Sequence, residues 1–416
     1  MAIIKPFKAI RPRKELTHLV ASRSMDFYSK EELQKEISSN EYSYLQIIKP
    51  EEKEGSIKNN STEHYKKCKQ RYLNFKEKAI LQEDEKESFY VYQQISGNYS
   101  STGIIGLAAI DDYFNKTIKI HEQTLLNKEK ALKDYLKVCD IHAEPIILAY
   151  QPQQKISQLI DETVRKEPEY NFTSVDGISH QLWIIDNEKN IATIVDAFKK
   201  MPALYIADGH HRSASSALLG TELRNEKKQY SGDEAFNYFL CIFFPFNQLK
   251  IYDYSKLAKD LSGMRTDIFL SKLGDCFNVT LKGKKPYVPN MQRHIGMYIE
   301  ENWYELIPKD GLEIDSDPVN SLDASILYDY IIIPTLRIED FRRDKRIAFT
   351  GGIKNITEIE RRVNSGEMKI GFCLHPITIE QLTRIADMNK TMPPKSTWIE
   401  PKLRSGMLVY ELNINS

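Results

Sequence analysis

Leu204-Tyr205-Ile206-Ala207, Asp208-Gly209-His210-His211-Arg212 and Ser213-Ala214-Ser215-Ser216-Ala217-Leu218-Leu219 follow one another directly, and their reading decides the fold. The first four residues are apolar and partly β-branched, the composition of a buried strand. The last seven are small and apolar, as in a helix packed closely on a sheet. At the junction stand one glycine, two imidazoles and a guanidinium. The N–H groups of a helix start attract anions, and Gly209 lets a ligand come close to the backbone. Arg212 can grip a phosphate with two parallel hydrogen bonds, and His210 and His211 can donate to it. The string reads as a phosphate cradle, against the plainer reading of a polar turn whose histidines only cap and pack. It is neither a Walker loop nor a glycine-rich dinucleotide turn. Adjacent histidines diverge by about 100° on a helix or 180° on a strand, so His210 and His211 are not expected to share a metal ion.

Upstream of this junction, strands and helices alternate. Ile3 to Pro12 reads as an extended segment, Ser29 with Glu32 as a capping box, and Glu51 to His64 as a polar surface loop. A helical pattern runs from Tyr65 to Leu81. Phe89–Ile95 and Thr102–Ile110 read as strands joined by a hairpin at Gly97-Asn98. Thr117–Ile120 and Pro145–Tyr150 are further strands, with Asn127 expected to cap a helix over residues 128–138. Gln181–Ile185 and the helix Ile191–Lys200 lead to the strand before Asp208. This is an α/β layout, with the cradle at a strand's C-terminal end.

A second half is expected after the polar loop Asn225–Asp233. It would hold the strand Phe239–Phe244, a helix near Ser255–Leu261 and a helical segment between Leu322 and Tyr330. The turn Gly351-Gly352, the strand Ile370–Leu374 and the helix Ile379–Met388 follow. The expected division is residues 1–230 as an α/β domain and residues 231–416 as a C-terminal α+β domain, a mixed α/β fold.

Composition narrows the function classes. Lys+Arg and Asp+Glu each number 58 among 416 residues, so the formal net charge is zero and the basic excess of a dedicated nucleic-acid binder is missing. The start of the chain has no long apolar run and so does not read as a signal peptide, and Phe239–Phe244 is too short to cross a bilayer. Cys68, Cys139, Cys241, Cys276 and Cys373 are scattered without a CxxC pair, which fits reduced, buried thiols and a cytoplasmic location.

Other strings could carry chemistry. His121-Glu122 directly follows a strand, where a glutamate can take a proton from a substrate hydroxyl or simply be a solvated acid. Met392-Pro393-Pro394-Lys395-Ser396-Thr397 stiffens the backbone and then presents a cation and two hydroxyls, suited to a phosphate or carboxylate or to docking of the chain end. Lys402 and Arg404 follow closely. Asp323 reads first as a helix cap, and Arg342–Arg346 as a solvated charged face.

Tyr205–Arg212 and Met392–Thr397, with Pro6–Pro12, Ser43-Tyr44-Leu45, Pro50-Glu51, Ile118–Thr124 and Leu322-Asp323, resemble the bacterial family known as domain of unknown function 1015, of which the chain is identified as a member. The chain departs from that family's pattern at Val20–Phe27 and at Gln248–Asp253. A more distant resemblance, over residues 118–220, is to free serine kinases of the ParB and sulfiredoxin superfamily. That resemblance implies a ParB/sulfiredoxin-like nucleotide-binding core with a second α+β region. It implies a kinase acting on a small hydroxyl compound such as free serine, using ATP or ADP with Mg²⁺. Glu122 would be the base, Asp208 would orient a hydroxyl or bind Mg²⁺, and Gly209, His210, His211 and Arg212 would hold phosphates. His121, Lys395, Ser396 and Thr397 are candidate contacts to substrate or phosphate. The rival is a ParB-like nucleotide-binding regulator or DNA-partitioning protein, for which no helix-turn-helix or basic face is found. A non-catalytic scaffold that keeps the cradle is the third reading.

Overall fold

The computed structural model describes residues 1–49, 60–227, 229–341 and 343–414. Pro50-Glu51, most of the expected Glu51–His64 loop and Arg342 lie outside them. The chain forms two compact units, one of Met1–Lys119, Thr124–Leu249 and Pro401–Ser416, the other of Ile120–Gln123 and Lys250–Glu400.

The first unit is built on a nine-stranded mixed sheet. Its strands are β1 (Ile4–Lys5), β2 (Phe89–Ser96), β3 (Tyr99–Ala109), β4 (Ile118–Lys119), β5 (Ile146–Tyr150), β6 (Tyr170–Thr173), β7 (Ser179–Ile185), β8 (Leu204–Asp208) and β9 (Tyr238–Pro245). They lie in the order β6-β7-β2-β3-β9-β5-β8-β4, with β1 added on β3. Only β9 with β5 and β8 with β4 pair in parallel. The helices that matter for the site are α1 (Leu126–Cys139), α2 (Gln154–Val164), α3 (Glu188–Lys199) and α4 (His210–Glu226). Ile156 and Leu159 of α2 and Ile194 and Phe198 of α3 bury against Ile206, Phe239 and Phe243. Each such fully buried side chain stabilises the fold by about 1.5–3 kcal/mol.

Several expectations hold locally. Ser29 and Glu32 form the capping box of the helix Lys30–Ser39. The hairpin turns at Gly97, whose φ of 57° is in the left-handed region. Elsewhere tertiary context decides. The expected break at residue 230 falls within the first unit, because every residue of β9 is buried and β9 pairs with β3 on one side and β5 on the other. A strand covered on both faces reads as a plain apolar run, which carries no sign of which sheet it joins. Helix α1 starts at Leu126 rather than beyond Asn127, with Leu125 as its cap residue.

In the second unit, residues near Ser255–Leu261 form a strand, not the expected helix. β10 (Tyr254–Ala258) joins β11 (Phe277–Gly283), β12 (Ile295–Ile299), β13 (Asn302–Pro308), β14 (Ile347–Gly351) and β15 (Ile370–Leu374) in the antiparallel order β11-β13-β12-β15-β10-β14. Pairing on both edges overrides the local preference of Ser255-Lys256-Leu257. Lys256 is fully buried, with Nζ 2.5 Å from the Tyr254 carbonyl and 3.8 Å from Asp253 Oδ1. Asp253 is itself buried and accepts from the Leu374 N–H at 2.9 Å. Asp323 does not cap the helix Asp323–Leu327 from outside but is its first residue, and Oδ1 accepts the Arg293 N–H at 2.8 Å.

Burial, with the nearby Asp253 charge, pushes the Asp323 carboxyl up to about 6, against the pull of the Arg293 N–H and Lys256. The folded state therefore binds more protons than the unfolded state between about 4 and 6, so this group's contribution to stability falls as pH rises through that window. Asp323→Asn keeps the acceptor for Arg293 and removes the titration. Its stability relative to the parent should rise from pH 4 to pH 7 by up to about 3 kcal/mol, checked by urea denaturation at both pH values. A pH-independent difference would contradict this account.

Candidate functional site

The string expected as a phosphate cradle lies where β8 passes into α4. Asp208 ends the strand, Gly209 caps the helix at φ 100° and ψ 30°, and Ser213 N–H closes the first helical bond on the Gly209 carbonyl at 2.9 Å. The N–H groups ahead of Ser213 point out of the helix start, where the helix dipole favours an anion. A bulge precedes the turn: Ile206 pairs with Leu148, but Asp208, not Ala207, pairs with Ile147. Such an extra residue re-aims the side chains that follow it. The helix can approach closely because Ser213, Ser215, Ser216, Ala217 and Gly220 are small and buried.

Asp208 is held by two cations, one on each oxygen. Arg212 Nη2 donates to Oδ2 at 2.6 Å, and Lys402 Nζ approaches Oδ1 at 3.0 Å. Arg212 also donates through Nη1 to the carbonyls of Pro145 at 2.7 Å and Glu144 at 3.2 Å. Burial raises the Asp208 carboxyl, but Lys402 and Arg212 outweigh it and hold the group at about 2. The side chains of Asp208, Arg212 and Lys402 keep 34%, 25% and 24% of their accessible area, so this charged cluster is open to a ligand. The expected phosphate-gripping guanidinium is thus engaged by Asp208 and two carbonyls, and an anion would have to compete for it.

The two histidines separate as their positions on a helix require. His210 is buried, and burial, reinforced by His211 and Arg212 against Asp208, lowers it to about 4, so it is neutral at pH 7. His211 is half-buried, and its Nε2 accepts the Leu125 N–H at 3.0 Å.

Lys119, the last residue of β4, is the strand partner of Tyr205, so β4 and β8 run side by side in the same direction. Between Lys119 and Thr124, the residues Ile120–Gln123 group with the second unit, and with them His121 and Glu122. His121 is buried and its carbonyl accepts the Met392 N–H at 2.9 Å, while Glu122 is half-buried. Within that unit the exposed Lys395 adopts a φ of 57°, with Nζ 5.0 Å from the centre of the Tyr254 ring. Ser396 is buried and donates to the Pro393 carbonyl at 2.5 Å, closing the loop on itself, and Thr397 is half-buried.

Lys402, Glu144 and Leu125 are the residues that sequence reasoning did not place at the turn. Glu144 and Leu125 act largely through backbone groups, which carry no residue-type signal. Lys402 stands 194 positions from Asp208.

Residues 4–325, the greater part of the chain, match the family described as "Protein of unknown function (DUF1015)", and the chain belongs to that family. No curated protein matches it. Among solved structures it is similar to a free serine kinase variant in complex with AMP, at 13% identity over 74% of this chain and 91% of that chain, with a TM-score of 0.38. It is also similar to a conserved hypothetical protein from Pyrococcus furiosus, at 14% identity, 74% and 94% coverage and a TM-score of 0.36. SbnI with a C-terminal truncation, from Staphylococcus aureus, gives 9% identity, 75% and 89% coverage and a TM-score of 0.38. Among the described residues no helix is long and apolar enough to cross a membrane.

The turn depends on Gly209. A Cβ there would lie 3.2 Å from the Arg212 guanidinium, on a backbone conformation that side chains resist. Gly209→Ala should lower stability by about 1–2 kcal/mol in urea denaturation. Wild-type stability would show that the turn relaxes to an ordinary helix start at no cost.

Proposed function

We propose that the protein is a nucleotide-dependent phosphotransferase acting on a small hydroxyl compound such as free serine, with the Asp208–Arg212 turn of the first unit as its phosphate site. The observation that carries this reading is the convergence, at one solvent-reachable helix start, of a left-handed glycine, a guanidinium and a carboxylate held at about 2. Phosphoryl transfer needs positioning and charge neutralisation more than covalent chemistry, and the glycine turn and the guanidinium would supply them. Arg212 would take phosphate oxygens in bidentate fashion, and His211 is proposed to donate to them as well.

Glu122 is proposed as the base. It stands in sequence between Lys119, whose neighbour in the sheet is Tyr205 of β8, and Leu125, bonded to His211 of α4. A carboxylate following a strand end is suited to take the acceptor's proton. Mg²⁺ is usually held by one or two carboxylates together with substrate phosphates, and Asp208 is the carboxylate the turn offers for it. Lys395 and Thr397, with His121, are proposed as acceptor-side contacts; the Ser396 hydroxyl is already engaged by Pro393. ATP as donor and the particular acceptor belong to the same proposal.

Arg212→Ala should weaken nucleotide binding, measured by calorimetry, by about 1.5–3 kcal/mol, the size of a lost charge-assisted bond. Unchanged affinity in a folded variant would remove the cradle. Glu122→Gln should abolish transfer from ATP to a panel of hydroxyl amino acids while leaving nucleotide affinity intact, because the base acts on the acceptor. Transfer at the wild-type rate would dismiss Glu122 as base, and nucleotide binding without transfer by the wild type would favour a nucleotide switch.

A further inference from the structure

Residues 401–414 belong to the first unit and bring a second cation into the turn. We infer that Lys402 is a phosphate-binding residue of this site, and that a chain of two or more phosphates binds by drawing Arg212 and Lys402 together off Asp208. The inference rests on the nucleotide-binding reading and extends it to residues that would select a diphosphate over a single phosphate.

The segment that carries Lys402 is fixed on both sides of it. Gln94 donates to the Lys402 carbonyl at 2.9 Å. Two residues on, the buried Arg404 grips both oxygens of Asp176 at 2.6 and 2.7 Å, donates to Ser174 at 2.9 Å and pairs along the strand with Arg23. Gly406 then passes so close to Tyr44 that a Cβ would sit 2.5 Å from its ring. The segment is thus anchored by the Lys402 carbonyl, Arg404 and Gly406. The Lys402 side chain is partly exposed, and its ammonium rests on Asp208. A cation held on a rigid backbone loses little freedom when a ligand replaces its partner.

The charges fit an anion. Two cations meet one carboxylate at hydrogen-bond distance, and His210 is neutral. Glu144, the other nearby acid, stays 3.9 Å from Arg212 and accepts the Ser405 hydroxyl at 2.7 Å. Each Asp208 oxygen serves one cation. In the proposed complex one phosphate sits at the helix start on Arg212 and the next takes Lys402. Arg offers a planar fork and Lys a point charge, so the two grip different oxygens without competing. Once both have moved to the ligand, the Asp208 carboxylate is released to face an acceptor hydroxyl or a divalent cation.

The test titrates the full-length protein by calorimetry with ADP, AMP and pyrophosphate at fixed ionic strength. Lys402→Ala should weaken ADP and pyrophosphate at least tenfold and AMP less, and Lys402→Arg should recover most of the loss. Thermal unfolding reports whether each variant is folded, and Lys402→Met, which keeps the apolar stem, serves if the alanine variant is not. Folded Lys402→Ala or Lys402→Met binding ADP as the wild type does would overturn the inference while leaving the Arg212 site intact. Equal losses for AMP and ADP would overturn the diphosphate preference. A wild-type protein that binds neither ADP nor pyrophosphate would overturn both this inference and the reading beneath it.

Discussion

The carboxylate of Asp208, shared between Arg212 and Lys402, is the interaction on which the candidate site depends. A half-buried carboxylate between two cations is held ionised, and its partners are held in place by it. A charge cluster of this kind contributes modestly to stability, since partly exposed ion pairs are screened by water and salt. Its value lies elsewhere. On the proposed reading it keeps two cations at defined positions for an incoming anion.

The fold brings that cluster together from three separate parts of the sequence, the first of them spanning a strand end and a helix start. β8 supplies Asp208, α4 supplies Arg212, the residues before β5 supply the carbonyls of Glu144 and Pro145, and the C-terminal segment supplies Lys402. Each is set by ordinary packing. β8 is pinned between β5 and β4, α4 lies close through its small residues, and the C-terminal segment is tied by Arg404. The second unit shows the contrast. Its Lys256 is sealed from solvent against Asp253, and such buried pairs are more often structural than functional.

The parts of this architecture written in contiguous residues were legible in the sequence. Asp208 to Arg212 is one uninterrupted string, so its strand, turn and helix could be read together; the same holds for the Ser29–Glu32 capping box and the Gly97 hairpin. Long-range choices were not legible. Nothing within Phe239–Phe244 says that it pairs with β3 and β5 rather than opening a new domain, and nothing within Ser255–Leu257 announces two strand neighbours. Asn127 was a reasonable cap by residue type, but helix α1 begins one residue before it. Lys402 was visible only as a basic residue after a proline-stiffened loop. Its meeting with Asp208 is a property of the folded chain.

The most direct measurement is a crystal structure of the full-length protein with ADP bound. The account predicts phosphate oxygens within about 3 Å of both Arg212 and Lys402 at the start of α4, with the Asp208 pairs to those two residues broken. A nucleotide bound elsewhere, or one bound while Asp208 still holds both cations, would contradict it.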